Sequence, residues 1–155
     1  MKKREENQDI SKSRILIVDD HTVVRQGLIL LIDQEPDLVV CCEADNASQA
    51  LEAIEKQQVD LAIVDISLEG PNGIQLTQRI KSQHPDLPIL VLTMHDEELY
   101  VKRAFQAGAK GYITKHEAAE TIIVAIRLML SGKDYISETM KQKFLKKLNS
   151  KGSCC

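Results

Sequence analysis

The stretch Val59–Gly73, VDLAIVDISLEGPNG, decides the fold class. An apolar run, Leu61 to Val64, drives straight into Asp65, and a Gly/Pro/Asn loop follows at once. A short apolar run bounded by turn residues reads as a strand buried on both faces. Its last residue then emerges at the edge where open α/β sheets carry their chemistry. Asp65 is thereby placed where a reactive carboxylate would sit. An acid at a strand end is by itself more often a solvated loop residue or a helix cap, so the reading of Asp65 depends on what else reaches that edge.

Upstream, Ile15 to Val18 form a second apolar run that ends in the adjacent carboxylates Asp19 and Asp20. Val24, Leu28, Leu31 and Ile32 then recur at helical spacing, with Asp20 placed to cap the first turn and Pro36 to end the helix. Leu38 to Cys42 reads as a strand, and Ala47, Ala50, Leu51 and Ile54 mark the face of a second helix. Downstream of Gly73, Leu76, Thr77 and Ile80 predict a third helix, closed by His84-Pro85 before a strand from Ile89 to Leu92 that delivers Thr93. A fourth helix is expected from Asp96 to Ala107, with Gly108 as a left-handed cap. A short strand, Gly111 to Ile113, leads to Lys115. The fifth helix, His116 to Ser131, ends at Gly132, and a sixth is expected from Ser137 to Asn149.

Strands alternating with helices in this way imply a doubly wound α/β fold of flavodoxin-like type: a five-stranded parallel sheet in the order 2-1-3-4-5, with an extra C-terminal helix. The organisation expected is a flexible leader over 1–13, one domain over 14–131, and a linker helix and tail over 132–155. A chain of 155 residues, 43% hydrophobic, suits one domain with one core. The net charge of −3 argues against an intrinsically strong nucleic-acid binder. No apolar h-region follows the basic N-terminus, and Arg127 interrupts the longest apolar segment, Ile122 to Leu130, so a cytoplasmic protein without a membrane partner is expected. Four cysteines fall in two adjacent pairs, Cys41-Cys42 and Cys154-Cys155, without zinc-ligand spacing. Neighbours on a strand point to opposite faces, so a Cys41–Cys42 disulfide is not expected.

In the expected strand order, strands 1, 3, 4 and 5 are successive neighbours about 5 Å apart. Asp19, Asp20, Asp65, Thr93 and Lys115 therefore converge on one crevice. Three clustered carboxylates raise each other's pKa unless a cation is present, and oxygen ligands of this kind favour Mg²⁺ or Mn²⁺. An aspartate can attack phosphorus to give an acyl phosphate, with a lysine and a metal neutralising the transferring group and a hydroxyl hydrogen-bonding its oxygens.

At this point the sequence resembles the response-regulator receiver family of two-component signalling, from Arg14 to about Ser131. ILIVDDH, AIVDISLEGPNG, VLTMHD and AGAKGYITK supply, in order, the family's acidic pair, phosphoacceptor, switch hydroxyl and aromatic-plus-lysine positions. The resemblance implies that Asp65 takes phosphate from a sensor histidine kinase. It implies that Asp20, Asp65 and the backbone carbonyl of Ser67 bind Mg²⁺, with Asp19 assisting through water. It implies that Lys115 pairs with Asp65 or its phosphate, that Thr93 and Tyr112 are coupled switch residues, and that Ser67 and His95 tune phosphoryl lifetime. Many receivers have proline, often after a cis peptide, where this chain has His116, which leaves the turn after Lys115 open. VDDH, LTMHD, GYITK and the segment SGKDYISETMKQKFLKKL look most like the subfamily with a LuxR-type helix-turn-helix output domain. That domain is absent from this chain, so DNA is expected as a partner only through it, and a stand-alone receiver acting through protein contacts is the alternative.

Val124 and Leu128 fall opposite the core face of the fifth helix, and Ile29 and Leu30 outside that of the first. This apolar surface reads as a homodimer or interdomain contact, against plain exposure or cover by the sixth helix. The scattered histidines need not be ligands. The chain is expected not to be an enzyme beyond self-catalysed phosphorylation and dephosphorylation. The enzyme alternative, an aspartate-nucleophile phosphohydrolase of the haloacid-dehalogenase kind, normally needs an acid where this chain has Ser67. A flavodoxin-like FMN carrier lacks aromatic residues to stack the ring, with no Trp, two Phe and three Tyr.

Overall fold

The computed structural model describes residues 11–67, 72–94, 98–136 and 141. Strand β1 (Ser13–Val18) is followed by α1 (Thr22–Asp33), β2 (Leu38–Ala44), α2 (Ala47–Lys56) and β3 (Leu61–Asp65). Next come α3 (Gly73–Gln83), β4 (Ile89–Thr93), α4 (Glu98–Gln106), β5 (Gly111–Thr114), α5 (Ala118–Leu130) and a two-residue strand β6 (Tyr135–Ile136). All neighbouring strands pair in parallel, in the order β2-β1-β3-β4-β5-β6.

The five expected strands stand in the expected order, and β6 extends the sheet beyond them. It forms because Gly132, at φ +94°, turns the chain back after α5. The Tyr135 N–H then donates to the Lys110 carbonyl at 2.9 Å. Two residues carry no periodicity, which is why this strand left no mark in the sequence. The sheet thus runs past residue 131, and at its other end β1 begins at Ser13, whose N–H donates to Asp37 O at 3.0 Å. The rest of the expected leader, 1–10, and the expected sixth helix, apart from Lys141, lie outside the described residues.

Every residue of β3 and β4 is buried, as a strand covered on both faces requires. Leu16, Val18, Ala62, Val64 and Val91 face one core with the apolar sides of α2, α3 and α4. Ile15, Ile17, Leu61, Ile63, Leu90 and Leu92 face the other, with α1 and α5. Period-two alternation along each strand thus feeds two separate cores. At β2 that alternation breaks: Leu38 and Val40 belong with the α1/α5 core, Cys42 and Ala44 with the opposite one. A register shift explains it, Ile15 pairing Val40 while Leu16 pairs Cys42, so Cys41 is the extra residue of a bulge.

Helix starts differ from expectation for local reasons. Asp20 is not the cap of α1; His21 holds that position, because the Asp19 carboxylate accepts the His21 N–H at 2.8 Å and takes up one more residue in the turn. Helix α5 starts two residues later than expected, since Thr114 and Glu117 close a turn in which Thr114 Oγ1 donates to Glu117 Oε2 at 3.0 Å. Helix α3 opens on a capping box formed by Asn72 and Gln75. Gly108 takes φ +112°, the left-handed cap expected of it.

Gly73, the first residue of α3, sits directly on the loop that leaves β3. A Cβ there would lie 2.3 Å from the Asp65 carbonyl oxygen and 2.6 Å from Ile66 Cα. Backbone cannot yield as a flexible side chain does, so Gly73→Ala should cost about 1–3 kcal/mol. Gly27, inside α1, has nothing within 4 Å of such a Cβ. Gly27→Ala should therefore stabilise by about 0.5–1 kcal/mol. Urea denaturation of both variants checks the pair, and the opposite signs are the expected result.

Candidate functional site

The site is built by two similar turns at neighbouring strand ends. Where β1 ends, Asp19 Oδ1 accepts the N–H of His21, two residues on, at 2.8 Å. Where β3 ends, Asp65 Oδ1 accepts the N–H of Ser67, again two residues on, at 3.1 Å, and the Ser67 hydroxyl at 2.9 Å. In such an Asx turn the aspartate side chain bonds the backbone two residues on. Each ties one carboxylate oxygen to its own loop and leaves the other to face its neighbour.

Those second oxygens converge on one cation. Lys115 Nζ, just past β5, lies 3.1 Å from Asp65 Oδ2 and 3.4 Å from Asp19 Oδ2. The lysine side chain is only 7% exposed and both carboxylates are fully buried. Backbone register brings them there: Val18 pairs Val64, Asp65 pairs Leu92, and the Lys115 N–H donates to the Thr93 carbonyl at 2.7 Å. The described residues contain no cis peptide, so the Lys115–His116 bond is trans and the lysine is placed without the proline turn.

The two buried acids respond differently. Burial pushes the Asp19 carboxyl above the usual range and the Asp65 charge adds to this, against the opposing pull of the His21 N–H and Lys115. Burial also pushes Asp65 up, but the Ser67 N–H, the Lys115 charge and the hydrogen bonds from Lys115 and the Ser67 hydroxyl outweigh it, so Asp65 titrates below its ordinary value. Asp65 is thus held as an anion at neutral pH while Asp19 is under strain as one.

Of the residues expected here, Asp19, Asp20, Asp65, Ser67 and Lys115 are brought together. Thr93 and Tyr112 are fully buried at the ends of β4 and within β5, the Tyr112 ring lying in the core shared with α2, α3 and α4. His95 lies outside the described residues. His21 was not expected. Its Nδ1 stands 3.1 Å from Asp19 Oδ1, 3.3 Å from Asp20 Oδ1, 3.5 Å from Asp65 Oδ2 and 3.2 Å from Lys115 Nζ. Its position two residues after Asp19 was the available signal, because an Asx turn returns that residue to the carboxylate. Arg25, one turn into α1, also serves the site, donating from Nη1 to the Asp19 carbonyl and from Nε to Glu43 at 2.9 Å.

The donor set fits a divalent cation. Ligand atoms of Asp19, Asp20, His21 and Asp65 all lie within 4.8 Å of one another. Asp19 Oδ2 and Asp20 Oδ1 are buried without a hydrogen bond, a costly condition that a cation would relieve.

Comparison with known proteins agrees with this geometry. Residues 15–127 match the model of the response regulator receiver domain. The chain is 32% identical over 136 residues to the transcriptional regulatory protein DegU of Brevibacillus brevis, covering 88% of this chain and 58% of that protein. It is 37% identical over 128 residues to the oxygen regulatory protein NreC of Staphylococcus carnosus, covering 82% and 59%. It therefore spans less than two thirds of the curated relatives it matches. A two-component response regulator of the LuxR family from Aurantimonas superimposes with a TM-score of 0.84 at 34% identity, over 88% of this chain and 98% of that one. The non-phosphorylated receiver domain of the stress response regulator RcsB from Escherichia coli gives 0.77 at 25% identity, over 83% and 100%. With the acidic pair, the strand-end aspartate, the buried threonine and the lysine all in register on one sheet edge, the chain belongs to the response regulator receiver domain family of two-component signalling.

Proposed function

We propose that this receiver is switched by transfer of a phosphoryl group from a phosphohistidine of a sensor kinase to Asp65. The observation that carries the reading is the convergence of the Asp19 and Asp65 Oδ2 atoms on the buried Lys115 ammonium. An Asp65 carboxylate oxygen attacks phosphorus while the phosphorus–nitrogen bond of the donor breaks, and the departing imidazole keeps the electron pair. Lys115 neutralises charge on the transferring oxygens, and the Thr93 hydroxyl hydrogen-bonds the product. Asp19, Asp20 and Asp65, with the Ser67 carbonyl, would hold Mg²⁺ or Mn²⁺, which supplies further charge neutralisation at the phosphoryl oxygens. Ser67, whose hydroxyl donates to Asp65, tunes the lifetime of that bond together with His95.

The output is a shift in a pre-existing equilibrium of the segment from Thr93 to Tyr112. That shift serves transcription through a DNA-binding domain of the kind carried by LuxR-type regulators. Partner and chemistry fit a cytoplasmic setting, and no described helix is long and apolar enough to cross a membrane. Catalysis is confined to the chain's own phosphorylation and dephosphorylation. Ser67 stands where a phosphohydrolase would need a second acid, and its hydroxyl donates to Asp65 rather than accepting a proton.

A second copy of the chain is the further partner. Val23 and Leu30 on α1 and Val124 on α5 are 83%, 67% and 54% exposed, while Ile29 and Leu31 pack inward. Since α1 and α5 lie against the same core, these side chains share one side of the domain.

Intact-mass measurement after incubation with acetyl phosphate and Mg²⁺ should show one added, hydroxylamine-labile phosphoryl group, lost in Asp65→Ala; an unchanged gain in that variant would sink the assignment. For Asp19 the sign follows from its raised pKa. Its charge opposes folding at every pH above the raised value and costs nothing below the ordinary one. At pH 7 without divalent metal, Asp19→Asn should therefore raise Tm, read by thermal denaturation. Added Mg²⁺ should stabilise the natural chain more than this variant, and Asp20→Ala should weaken metal binding in a titration. Val124→Asp together with Leu30→Asp should abolish any phosphorylation-dependent dimer seen by light scattering while leaving phosphorylation intact.

A further inference from the structure

The bulge in β2 creates a group that phosphoryl transfer does not use. On a regular strand Cys41 and Cys42 would send their sulfurs to opposite faces. Because Cys41 is the extra residue, the two Sγ atoms instead lie 3.1 Å apart, and both side chains are partly exposed. The pair sits on the edge strand of the sheet, with β1 between it and the strand that carries Asp65. Beside it, Cys41 Sγ is 3.9 Å from the Gln58 carbonyl. Arg14 donates to that carbonyl at 2.7 Å and to Gln57 Oε1 at 2.9 Å, both neutral acceptors.

Three chemistries are open to adjacent thiols. A disulfide needs sulfurs about 2.05 Å apart and usually about 4.4–6.8 Å between Cα atoms. Consecutive Cα atoms are fixed about 3.8 Å apart by a trans peptide, so that bond would be strained and easily reduced. A structural zinc site takes four ligands, and among the described residues no His, Asp or Glu joins the pair into a metal-binding group. The remaining chemistry is a two-coordinate bite on a thiophilic centre with a narrow angle between its bonds. It needs the sulfurs close but unbonded, as they stand. Burial, together with the hydrogen bond and the charge of Cys41, pushes the Cys42 thiol up to about 12 against the pull of Arg14. Cys42 therefore stays protonated, which disfavours thiolate-driven oxidation.

We propose that Cys41 and Cys42 form a vicinal dithiol site for monosubstituted trivalent arsenicals, R–As(OH)₂. Two arsenic–oxygen bonds break and two arsenic–sulfur bonds form. The two thiol protons leave with the two hydroxyls as two waters, arsenic remains trivalent, and no oxidant is consumed. Both cysteines lie on the edge strand and are partly exposed, so the pair can be reached without opening the sheet.

Cys154 and Cys155 form a second adjacent pair, so the test uses the full chain with Cys154→Ser and Cys155→Ser, reduced, with hydrated phenylarsine oxide as the probe. Intact-mass analysis should show one aryl-arsenic group per chain, retained against excess monothiol and removed by a small dithiol. Adding either Cys41→Ser or Cys42→Ser should abolish retention, with circular dichroism and acetyl phosphate labelling showing that the variants still fold. Repeating the competition in concentrated urea separates preformed geometry from mere adjacency, and retention should weaken about tenfold or more on unfolding. An adduct that survives monothiol in either single-cysteine variant, no adduct in the Cys154→Ser/Cys155→Ser chain, or equal retention by folded and unfolded chains would each overturn the proposal.

Discussion

Everything at the reactive edge depends on one conflict: two carboxylates, Asp19 and Asp65, are fully buried beside each other. Removing such charges from water costs several kcal/mol each unless partners replace the solvent. The replacement here is divided in two. The first oxygen of each acid is satisfied locally by the backbone two residues on; the second faces a lysine from a distant strand, which hydrogen-bonds Asp65 but only ion-pairs with Asp19. One ammonium cannot balance two carboxylates and the partly exposed Asp20 as well. The residual imbalance is carried by Asp19, whose carboxyl titrates high, while Asp65 titrates low. The domain thus stores an electrostatic deficit beside Asp65, and added positive charge is drawn to it.

The sheet explains why this conflict is tolerated. With apolar cores on both faces, β3 and β4 are buried along their whole length, so the strand ends that carry these acids are backed by packing on both sides. Gly73 completes the confinement, because α3 begins in contact with the Asp65 carbonyl and leaves no space for a side chain between them. The Lys115 N–H to Thr93 carbonyl bond does the same on the other side, tying the lysine to the strand that carries the threonine.

The parts legible in the sequence were those written in periodicity or in chemistry at strand ends. Runs such as Leu61–Val64 and Ile89–Leu92 announced buried strands. The alternation of strands with helices implies the order 2-1-3-4-5, and that order brings the ends of strands 1, 3, 4 and 5 to one edge, where Asp19, Asp65 and Lys115 meet. What stayed hidden was written in single residues. The placement of His21 depends on an Asx turn that costs α1 its first expected residue. The bulge at Cys41 reverses the facing of half of β2, yet LVVCCEA reads as an ordinary strand. The strand Tyr135–Ile136 exists because β5 has a free edge, a property of the assembled sheet and not of its own two residues. Ile29 shows the limit of a helical wheel: it falls outside the main stripe of α1 but still packs against the core.

Strand β6 also fixes a direction. It runs parallel to β5, with Gly111 opposite Tyr135 and Tyr112 opposite Ile136. The polypeptide therefore leaves the sheet heading toward the same edge from which Asp65 and Lys115 emerge. Whatever is joined after Ile136 starts its path near the reactive edge instead of at the opposite pole. A module linked there by a short flexible tether would be held at an effective concentration on the order of millimolar. At such a concentration even a weak contact with the α4–β5 side of the domain would be populated without high intrinsic affinity, and a modest structural change there would release it.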